Sequence, residues 1–370
     1  MASTIQTDKI GKLGFGYMRL PRIKGEFDYE QINKMADMFL ENGGTYFDTA
    51  YGYEGAEVAL RESVVKRHPR DSFQIATKLP MWSVTQEMTI EKLHKTSMDR
   101  LGTDYIDFYL LHSLNSNSNK MAESVGAWDY LAKLKAQGTI RHMGFSFHGS
   151  PEELDEILTK HPEAEFTQLQ INYWDWDSSK AQARRLYEVA RKHDVQIIVM
   201  EPLLGGKLAS TDSPIAELFH GADPNSSIAS WALRFVAQLD GVFTTLSGMS
   251  NLEQMADNIK TYSDIKQLSK DELVVIEKAV AVLKGVPRVD CTSCDYCKDC
   301  PANIKISSLI NLYNDHLVHN TTTNLGGTYN WLTSDSGKAC DCTKCERCED
   351  ICPQDIEILD ILAKVSKLFD

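Results

Sequence analysis

Short apolar segments alternate with amphipathic segments along the first 286 residues of the chain. The apolar segments predict β-strands at Leu13–Tyr17, Tyr46–Asp48, Phe73–Thr77, Ile106–Leu111, Met143–Phe145, Thr167–Ile171, Gln196–Met200 and Phe243–Leu246. Helical periodicity fills the intervals, for example at Gln31–Leu40, Ile90–Leu101, Trp128–Lys135, Pro151–Leu158 and Ala181–Lys192. Eight strand–helix units in about 250 residues predict a (β/α)8 TIM barrel. A doubly wound open sheet is the alternative, but no G-x-G-x-x-G sequence follows the first strand to support it.

Four polar side chains lie at the ends of consecutive predicted strands or in the turns after them. They are Asp48, Tyr53, Lys78 and His112. A single Lys at such a position is usually solvated, and a single Tyr or His usually packs and makes one hydrogen bond. Because the chemistry of a barrel lies on the face where its strands end, four such residues on successive strands predict an active site.

All nine cysteines lie in the last 80 residues, and eight of them form two runs, CTSCDYCKDCP and CTKCERCEDICP. The second run has the C-x2-C-x2-C-x3-C-P spacing that holds a four-iron cluster, and the first differs only in a last gap of two residues. Thiolates are the preferred ligands of iron–sulfur iron. The runs therefore predict two [4Fe–4S] clusters, with these ligands: Cys291, Cys294, Cys297, Cys300, Cys342, Cys345, Cys348 and Cys352. Cys340 is interpreted as a bystander rather than a cluster ligand, because Cys342 already provides the first ligand of the second run.

Two other uses of the cysteines stay open. Zinc is one, although zinc sites usually place two Cys pairs far apart in the sequence. Disulfides are the other, and they suit secreted proteins, whereas the N-terminal sequence MASTIQTDKI is polar and does not resemble a signal peptide.

Chain length, net charge and hydropathy bear on the number of domains, the class of partner and the cellular location. A chain of 370 residues suits one large and one small domain, here predicted at residues 1–286 and 287–370. The formal net charge of −13 makes nucleic acid an unfavourable partner. No apolar run approaches the ~20 residues that span a membrane. Nine thiols without a secretion signal predict a cytoplasmic location.

Over roughly residues 8–286 the chain resembles the aldo-keto reductase family. The resemblance rests on GFGYMRLP, FDTAYGYEGAE, the Lys of IATKLP, the LLH of the fourth strand and IRHMGFSFHG. The cysteine runs are similar to those of the branch of this family with a C-terminal ferredoxin-like domain. The resemblance implies a barrel followed by a small iron–sulfur domain, which we expect to be mainly helical because Ile304–Leu317 has a helical pattern.

The family's catalytic tetrad maps onto Asp48, Tyr53, Lys78 and His112. The resemblance implies hydride transfer between a nicotinamide and a small carbonyl or alcohol substrate. A phenol has an ordinary pKa near 10, which the Lys78 ammonium is expected to lower for Tyr53. Asp48 would keep Lys78 charged, and a neutral His112 would donate a hydrogen bond to the substrate oxygen.

The resemblance also implies the residues that bind the cofactor. Ser146 and Gln168 fall where the family holds the nicotinamide carboxamide, and Met200 stands where many members stack a Tyr. The loops after the seventh and eighth strands are expected to bind phosphates through Gly205, Gly206, Lys207, Gly248, Ser250 and Asn258. Ser250 and Glu253 form a capping-box pattern at the start of the helix in the second loop.

The same loop bears on the choice between the two nicotinamide cofactors. Many NADPH-dependent members carry basic residues where this chain has Gly248 and Gln254. A 2′-phosphate would meet no charge partner from them, so NAD(P)H binding is expected to lean toward NADH.

Two-cluster ferredoxins exchange the fourth Cys of each run, so crossed ligation is expected. One set is Cys291, Cys294, Cys297 and Cys352, and the other is Cys342, Cys345, Cys348 and Cys300. We expect the clusters to lie off the hydride path, because no flavin signature is present to convert one-electron into two-electron transfer. The alternatives are a cluster-wired oxidoreductase or an electron-carrier subunit whose partner is an electron-transfer protein.

Overall fold

The computed structural model describes residues 5–6 and 10–370. Residues 1–4 and 7–9 of the predicted barrel domain, 1–286, therefore lie outside the described part. Eight parallel strands close into a barrel in chain order, with β8 returning to β1. They are β1 Leu13–Gly16, β2 Tyr46–Asp48, β3 Gln74–Pro80, β4 Ile106–Leu114, β5 Ile140–Phe147, β6 Phe166–Gln170, β7 Gln196–Met200 and β8 Val242–Ser247. A two-stranded hairpin, Arg22–Ile23 with Glu26–Phe27, follows β1. The predicted (β/α)8 barrel is confirmed.

Helices connect the strands and continue beyond the barrel. They are α1 Tyr29–Glu41, α2 Ala56–Leu60, α3 Ile90–Leu101, α4 Ser116–Ser124, α5 Ala127–Ala136, α6 Pro151–Lys160, α7 Ala183–Lys192, α8 Ala216–Ala222, α9 Ile228–Ala237, α10 Leu252–Ser263 and α11 Lys270–Gly285. The C-terminal helices are α12 Ile306–His319, α13 Leu325–Leu332, α14 Arg347–Asp350 and α15 Ile358–Phe369. None of the helices in the described residues is long and apolar enough to cross a bilayer.

Large apolar side chains from the strands fill the barrel interior, as they must where a parallel sheet is covered on both faces. Tyr46, Phe108, Phe166 and Phe243 form its centre, and all four are almost fully buried. Ring centroids of Tyr46 and Phe108 are 5.0 Å apart, and those of Phe108 and Phe166 are 5.3 Å apart. This packed interior leaves the C-terminal ends of the strands as the place where polar side chains can meet.

The chain forms two compact units. The first ends at Pro202 and resumes over Ala232–Leu268, and the second comprises Leu203–Trp231 and Ser269–Asp370. The second unit has its own apolar core, built mostly by α12, α13 and α15, with Ile310, Tyr329 and Leu362 almost fully buried. The predicted mainly helical C-terminal region is confirmed, with the helix expected at Ile304–Leu317 found at Ile306–His319.

Candidate functional site

A buried ion pair joins β2 to β3. The ammonium of Lys78 donates to Asp48 Oδ1 at 2.6 Å and to the carbonyl oxygen of Thr49 at 2.8 Å. The side chains of Lys78 and Asp48 are 1% and 5% exposed. Burial acts to lower the pKa of Lys78, but the Asp48 carboxylate and Tyr53 more than offset it, so the pKa is raised. Lys78 is therefore an ammonium held in a fixed position.

Tyr53 lies against this ammonium, on the turn that follows β2. Lys78 Nζ is 5.0 Å from the centroid of the Tyr53 ring. Burial raises the pKa of the Tyr53 phenol above its ordinary value, and Lys78 offsets only part of the rise. Lys78 acts in the expected direction and lowers this pKa, but burial is the larger effect and the net pKa is raised. The phenol accordingly keeps its proton at neutral pH.

His112 completes the group from β4. Its ring centroid is 5.7 Å from that of Tyr53, with the rings nearly perpendicular, and 4.8 Å from that of the exposed Trp82. Burial, followed by the nearby Lys78 charge, lowers the pKa of His112 to about 2. Its Nδ1 is buried and has no hydrogen-bond partner among the described residues. The lowered pKa favours the neutral imidazole, the form that the proposed hydrogen bond to the substrate oxygen requires.

The four predicted residues thus converge, although two of them are not strand ends. β3 continues to Pro80 and β4 to Leu114, so Lys78 and His112 each lie two residues before the end. The strands run longer than predicted because Lys78 pairs in register with Leu110, and Pro80 with His112. The extension leaves both side chains near the C-terminal face.

Ser146 and Gln168 face each other in register on β5 and β6, and both are nearly fully buried. Ser146 Oγ accepts a hydrogen bond from the backbone N–H of Ser113 at 2.7 Å. Gln168 Oε1 is buried and has no partner among the described residues. A buried acceptor of this kind suits an amide N–H₂ donor. Met200, at the end of β7, is half-buried against the apolar barrel interior.

The loop between β8 and α10 differs from the sequence prediction at the helix start. The N-cap of α10 is Asn251, whose side chain accepts from the backbone N–H of Gln254 at 2.8 Å. The predicted capping box of Ser250 with Glu253 is therefore wrong by one residue, because Asn251 is the last extended residue. Ser250 Oγ instead donates to the Gly248 carbonyl oxygen at 3.2 Å. Asn258 Nδ2 donates to Ser247 Oγ at 2.8 Å and ties α10 to β8.

Sequence reasoning missed Arg19, which lies beside Gly248. A Cβ at Gly248 would be 3.7 Å from Arg19 Cβ. The Arg19 guanidinium also contacts Glu201 Oε1 at 3.4 Å, with both side chains about one third exposed. The available signal was a basic residue three positions after the first strand, in GFGYMRLP.

In the second unit, the Gly205–Gly206–Lys207 turn contains two glycines with positive φ, 66° and 95°. This conformation favours glycine. Lys207 Nζ contacts Asp315 Oδ2 at 2.6 Å. The predicted phosphate-binding lysine therefore already has an internal carboxylate partner.

A pocket in the second unit is lined by cysteines of both runs. Its walls include Cys291, Cys294, Cys297 and Cys352. These four are the first of the two crossed sets expected from the sequence. No three Cys, His, Asp or Glu side chains in the described part of the chain surround a single metal-ion position. A cubane instead takes each thiolate on a different iron, and four thiols around one pocket suit that donor arrangement.

The two cysteine runs share one backbone conformation. Ser293 and Lys344, at matching positions before the second Cys of each run, have φ values of 56° and 57°. Asp295 and Glu346, directly after that Cys, have φ values of 60° and 63°. The runs therefore form a structural repeat despite their different last gaps.

The repeat continues into the helices that follow. The third residue after each final Cys, Asn303 or Asp355, has positive φ and donates its backbone N–H to that Cys. α12 and α15 begin six residues after Cys300 and Cys352. By this repeat, Cys340 matches Val289 and lies outside the second run, and its role as a bystander stays a prediction.

The sequence model of the Aldo/keto reductase family matches residues 12–281. The chain belongs to the aldo/keto reductase family. A 4Fe-4S dicluster domain matches residues 290–357 of this reductase. The chain is therefore an NAD(P)-dependent oxidoreductase of aldo-keto reductase type with a C-terminal iron–sulfur domain.

The reductase has relatives in bacteria and plants. It is 28% identical over 255 residues to an aldo-keto reductase of Mycolicibacterium smegmatis, covering 67% of this chain and 82% of the relative. It is 22% identical to the L-galactose dehydrogenase of Arabidopsis thaliana, covering 75% of this chain and 92% of the relative. These matches support the family and leave the substrate undetermined.

Solved structures of the family share its fold. An aldo-keto reductase from Klebsiella pneumoniae in complex with NADPH aligns with a TM-score of 0.59 at 20% identity, covering 73% of this chain and 90% of that one. The holo form of an aldo-keto reductase from Bacillus halodurans aligns with a TM-score of 0.59 at 24% identity, covering 72% and 91%.

Proposed function

We propose that Asp48, Tyr53, Lys78 and His112 catalyse the reduction of a carbonyl group or the reverse oxidation of an alcohol. The observation that carries this proposal is the 2.6 Å contact between Lys78 and Asp48, with the Tyr53 ring beside the ammonium and His112 beside Tyr53. A scaffold gains little from burying a charged pair, since desolvation opposes its attraction.

The four side chains divide the proton chemistry among them. The bound nicotinamide supplies hydride to the carbonyl carbon, or accepts it in the reverse direction. Tyr53 donates its proton to the substrate oxygen, where negative charge develops. The Lys78 ammonium stabilises the phenolate that remains, and Asp48 holds Lys78 in place. Neutral His112 has one ring N–H with which to orient the carbonyl oxygen.

For the cofactor, we propose that Ser146, Gln168 and Met200 contact the nicotinamide. The unpartnered Oε1 of Gln168 fits the carboxamide N–H₂. For the phosphates, we propose Gly205, Gly206 and Lys207 in the loop after β7, and Gly248 and Ser250 in the loop after β8. Asn258 would take part through its hydrogen bond to Ser247, which ties α10 to β8.

NADH is proposed over NADPH. The side-chain Oε1 of Gln254 accepts a hydrogen bond from the backbone N–H of Ser250. The Gln254 side chain carries no charge. Arg19, which lies beside Gly248, contacts the carboxylate of Glu201, and Lys207 of the second unit contacts that of Asp315. A 2′-phosphate would compete with those carboxylates for its counterions.

For the iron–sulfur domain, we propose that Cys291, Cys294, Cys297 and Cys352 hold one [4Fe–4S] cluster. The shared pocket supports this set. The structural repeat supports the matching set of Cys342, Cys345, Cys348 and Cys300 for the other cluster. Cys300, Cys342 and Cys348 are half-buried against the core of the second unit. Nine thiols in one chain also suit the reducing cytoplasm that we propose as its location.

We propose that hydride transfer does not pass through the clusters. The second candidate function is electron exchange with a one-electron carrier protein, and surface exposure around the cysteines favours it. Cys294 and Cys345 are exposed, as are Tyr296 and Ile351 next to other cysteines of the runs. Residues 286–370 hold eight Lys/Arg and thirteen Asp/Glu, a balance of −5, so such a carrier would be basic.

Anaerobic turnover tests both candidates. A panel of aldehydes and ketones is incubated with NADH or NADPH, with and without a reduced viologen dye. Turnover with nicotinamide alone supports the reductase, and faster turnover with NADH supports the cofactor preference. Turnover that requires the dye would contradict the reductase and favour one-electron exchange.

A further inference from the structure

The loop after β7 is fastened to the iron–sulfur region within the second unit. Lys207 contacts Asp315 at 2.6 Å. Asn320 Nδ2 donates to the carbonyl oxygen of Asp212 at 2.8 Å. Asn324 Nδ2 donates to the carbonyl oxygen of Gly205. Three side chains between residues 315 and 324 therefore contact one short loop, residues 205–212.

The Gly205–Gly206–Lys207 turn packs closely against the same segment. Gly206 has a φ of 95°, and a Cβ there would lie 3.3 Å from Asn324 Nδ2 and 3.5 Å from Thr323 Cγ2. Asn324 itself has a φ of 61°, so its amide is aimed by a left-handed backbone. The turn can approach Asn324 this closely because glycine has no side chain.

One helix links this loop to the cysteine pocket. Ser307 and Ile310, in the first turns of α12, line the pocket that contains Cys291, Cys294, Cys297 and Cys352. Asp315 lies on the same helix, eight residues after Ser307. At 1.5 Å per residue, that separation is about 12 Å along a rigid element. α12 therefore connects the wall of the cysteine pocket to the residue that contacts Lys207.

We propose that α12 couples the iron–sulfur centre to cofactor binding, with Asp315 and Asn324 acting as positioning residues for the Gly205–Gly206–Lys207 turn. This inference rests on the proposed function, in which that turn contacts the cofactor phosphates. Cluster loading and nicotinamide binding then stabilise each other, because coupling between two sites is reciprocal.

The test uses full-length protein purified anaerobically with its clusters. Asp315→Asn removes the charge that holds Lys207. Asn324→Gly removes the amide that contacts Gly205, and glycine tolerates the positive φ. Asp360→Asn is the matched control, because the Lys364–Asp360 pair is 2.7 Å long and lies within α15 of the same unit. Iron content confirms that each variant keeps its clusters.

Three quantities are measured: the Kd of NADH and of NADPH by fluorescence, amide hydrogen exchange of residues 203–212, and the rate at which an iron chelator removes the clusters. Asp315→Asn and Asn324→Gly are expected to weaken the tighter-binding cofactor by about 5-fold or more, within the usual range of coupling, and to speed exchange. Saturating cofactor should slow cluster loss in the parent and in Asp360→Asn, but less in the two variants.

Two results would overturn the coupling. Unchanged exchange in both variants would mean that Asp315 and Asn324 do not hold the loop. Faster exchange with an unchanged Kd would mean that the loop does not position the cofactor, while nicotinamide turnover would still uphold the proposed function. If the parent bound neither cofactor, the proposed function itself would fail, although the exchange measurement would still report on the loop contacts.

Discussion

The two chemical centres of this protein are built in opposite ways. The tetrad of the barrel is set by the strands: Asp48 and Lys78 are almost fully buried, and a 2.6 Å contact fixes them before any ligand arrives. The cysteine runs are loops, with Cys294 and Cys345 exposed. Their turns depend on non-glycine residues in the left-handed region, such as Ser293 and Glu346.

The contrast shows which interactions restrain the conformation of each site. A left-handed non-glycine residue costs about 1–3 kcal/mol and persists only when its surroundings hold it there. In the cysteine loops the bound cluster is the natural source of that restraint, because metal binding free energy is also folding free energy. The barrel site is instead ordered by packing of the fold. Variants that damage one centre and spare the other test this separation.

The largest effect is expected from Tyr53→Phe. The change removes the proton donor and little volume, so carbonyl reduction should fall about 10²–10⁴-fold. Iron content and nicotinamide Kd should stay at the parent values. Tyr51→Phe is the control, because Tyr51 lies two residues earlier and packs against Arg100 instead. Steady-state turnover within about threefold of the parent would contradict the role of Tyr53.

Asp48→Asn should damage both activity and stability of the barrel. It leaves the Lys78 ammonium buried without its carboxylate, and breaking a buried pair in this way costs about 3–5 kcal/mol. The free energy of unfolding, measured by denaturant titration of the barrel transition, should fall by that amount. Glu30→Gln, which breaks the exposed pair with Lys34, is the control and should change it little. A loss no greater than that of the control would mean that the buried pair is not an ion pair.

Paired cysteine variants decide between crossed and uncrossed ligation. Under crossed ligation, the double variant Cys291→Ser/Cys352→Ser damages one cluster and should lose about four of about eight irons. Cys291→Ser/Cys300→Ser damages both clusters and should lose nearly all iron. Uncrossed ligation predicts the reverse order. Cys340→Ser should keep the full iron content, and nicotinamide turnover should persist in the variants that retain a folded barrel.

Local pattern was enough to select Asp48, Tyr53, Lys78 and His112, because strand ends can be located without knowledge of tertiary contacts, and the structure brings these four side chains together. The sequence pattern placed the end of β3 at Thr77, whereas the strand continues to Pro80, since pairing with β4 supplies hydrogen bonds that no local pattern records. It also placed the cap of α10 at Ser250. Ser and Asn are both good caps, and only the extended backbone of Asn251 decides between them.

Side-chain contacts between residues far apart in the chain could not be predicted from the sequence. Lys207 was expected to face phosphate, but its partner Asp315 lies 108 residues away. Arg19 was overlooked because its neighbours are even more distant along the chain: Glu201 lies 182 residues away, and Gly248 lies further still. Local signals identify which loops carry chemistry, whereas tertiary contacts determine which charges remain available to a ligand.

The smallest expected effect is that of pH on turnover, and it sharpens the description of the barrel site. Because the pKa of His112 is lowered to about 2 and that of Tyr53 is raised, neither group changes protonation between pH 5 and 8. The kcat for carbonyl reduction should therefore vary by less than about twofold across that range. An inflection near pH 6.5 would mean that His112 titrates as an ordinary histidine.

Stability should depend on pH where kcat does not. In the unfolded chain His112 binds a proton below its ordinary pKa of about 6.5, whereas in the folded protein it stays neutral down to about pH 2. Acid therefore favours the unfolded state, and stability falls as pH drops below about 6.5, by at most about 1.4 kcal/mol per pH unit from this residue. Denaturant titrations from pH 7 to 5 should show a shallower decline in His112→Asn than in the parent. Equal slopes would place the buried neutral histidine in doubt, even if kcat remained flat.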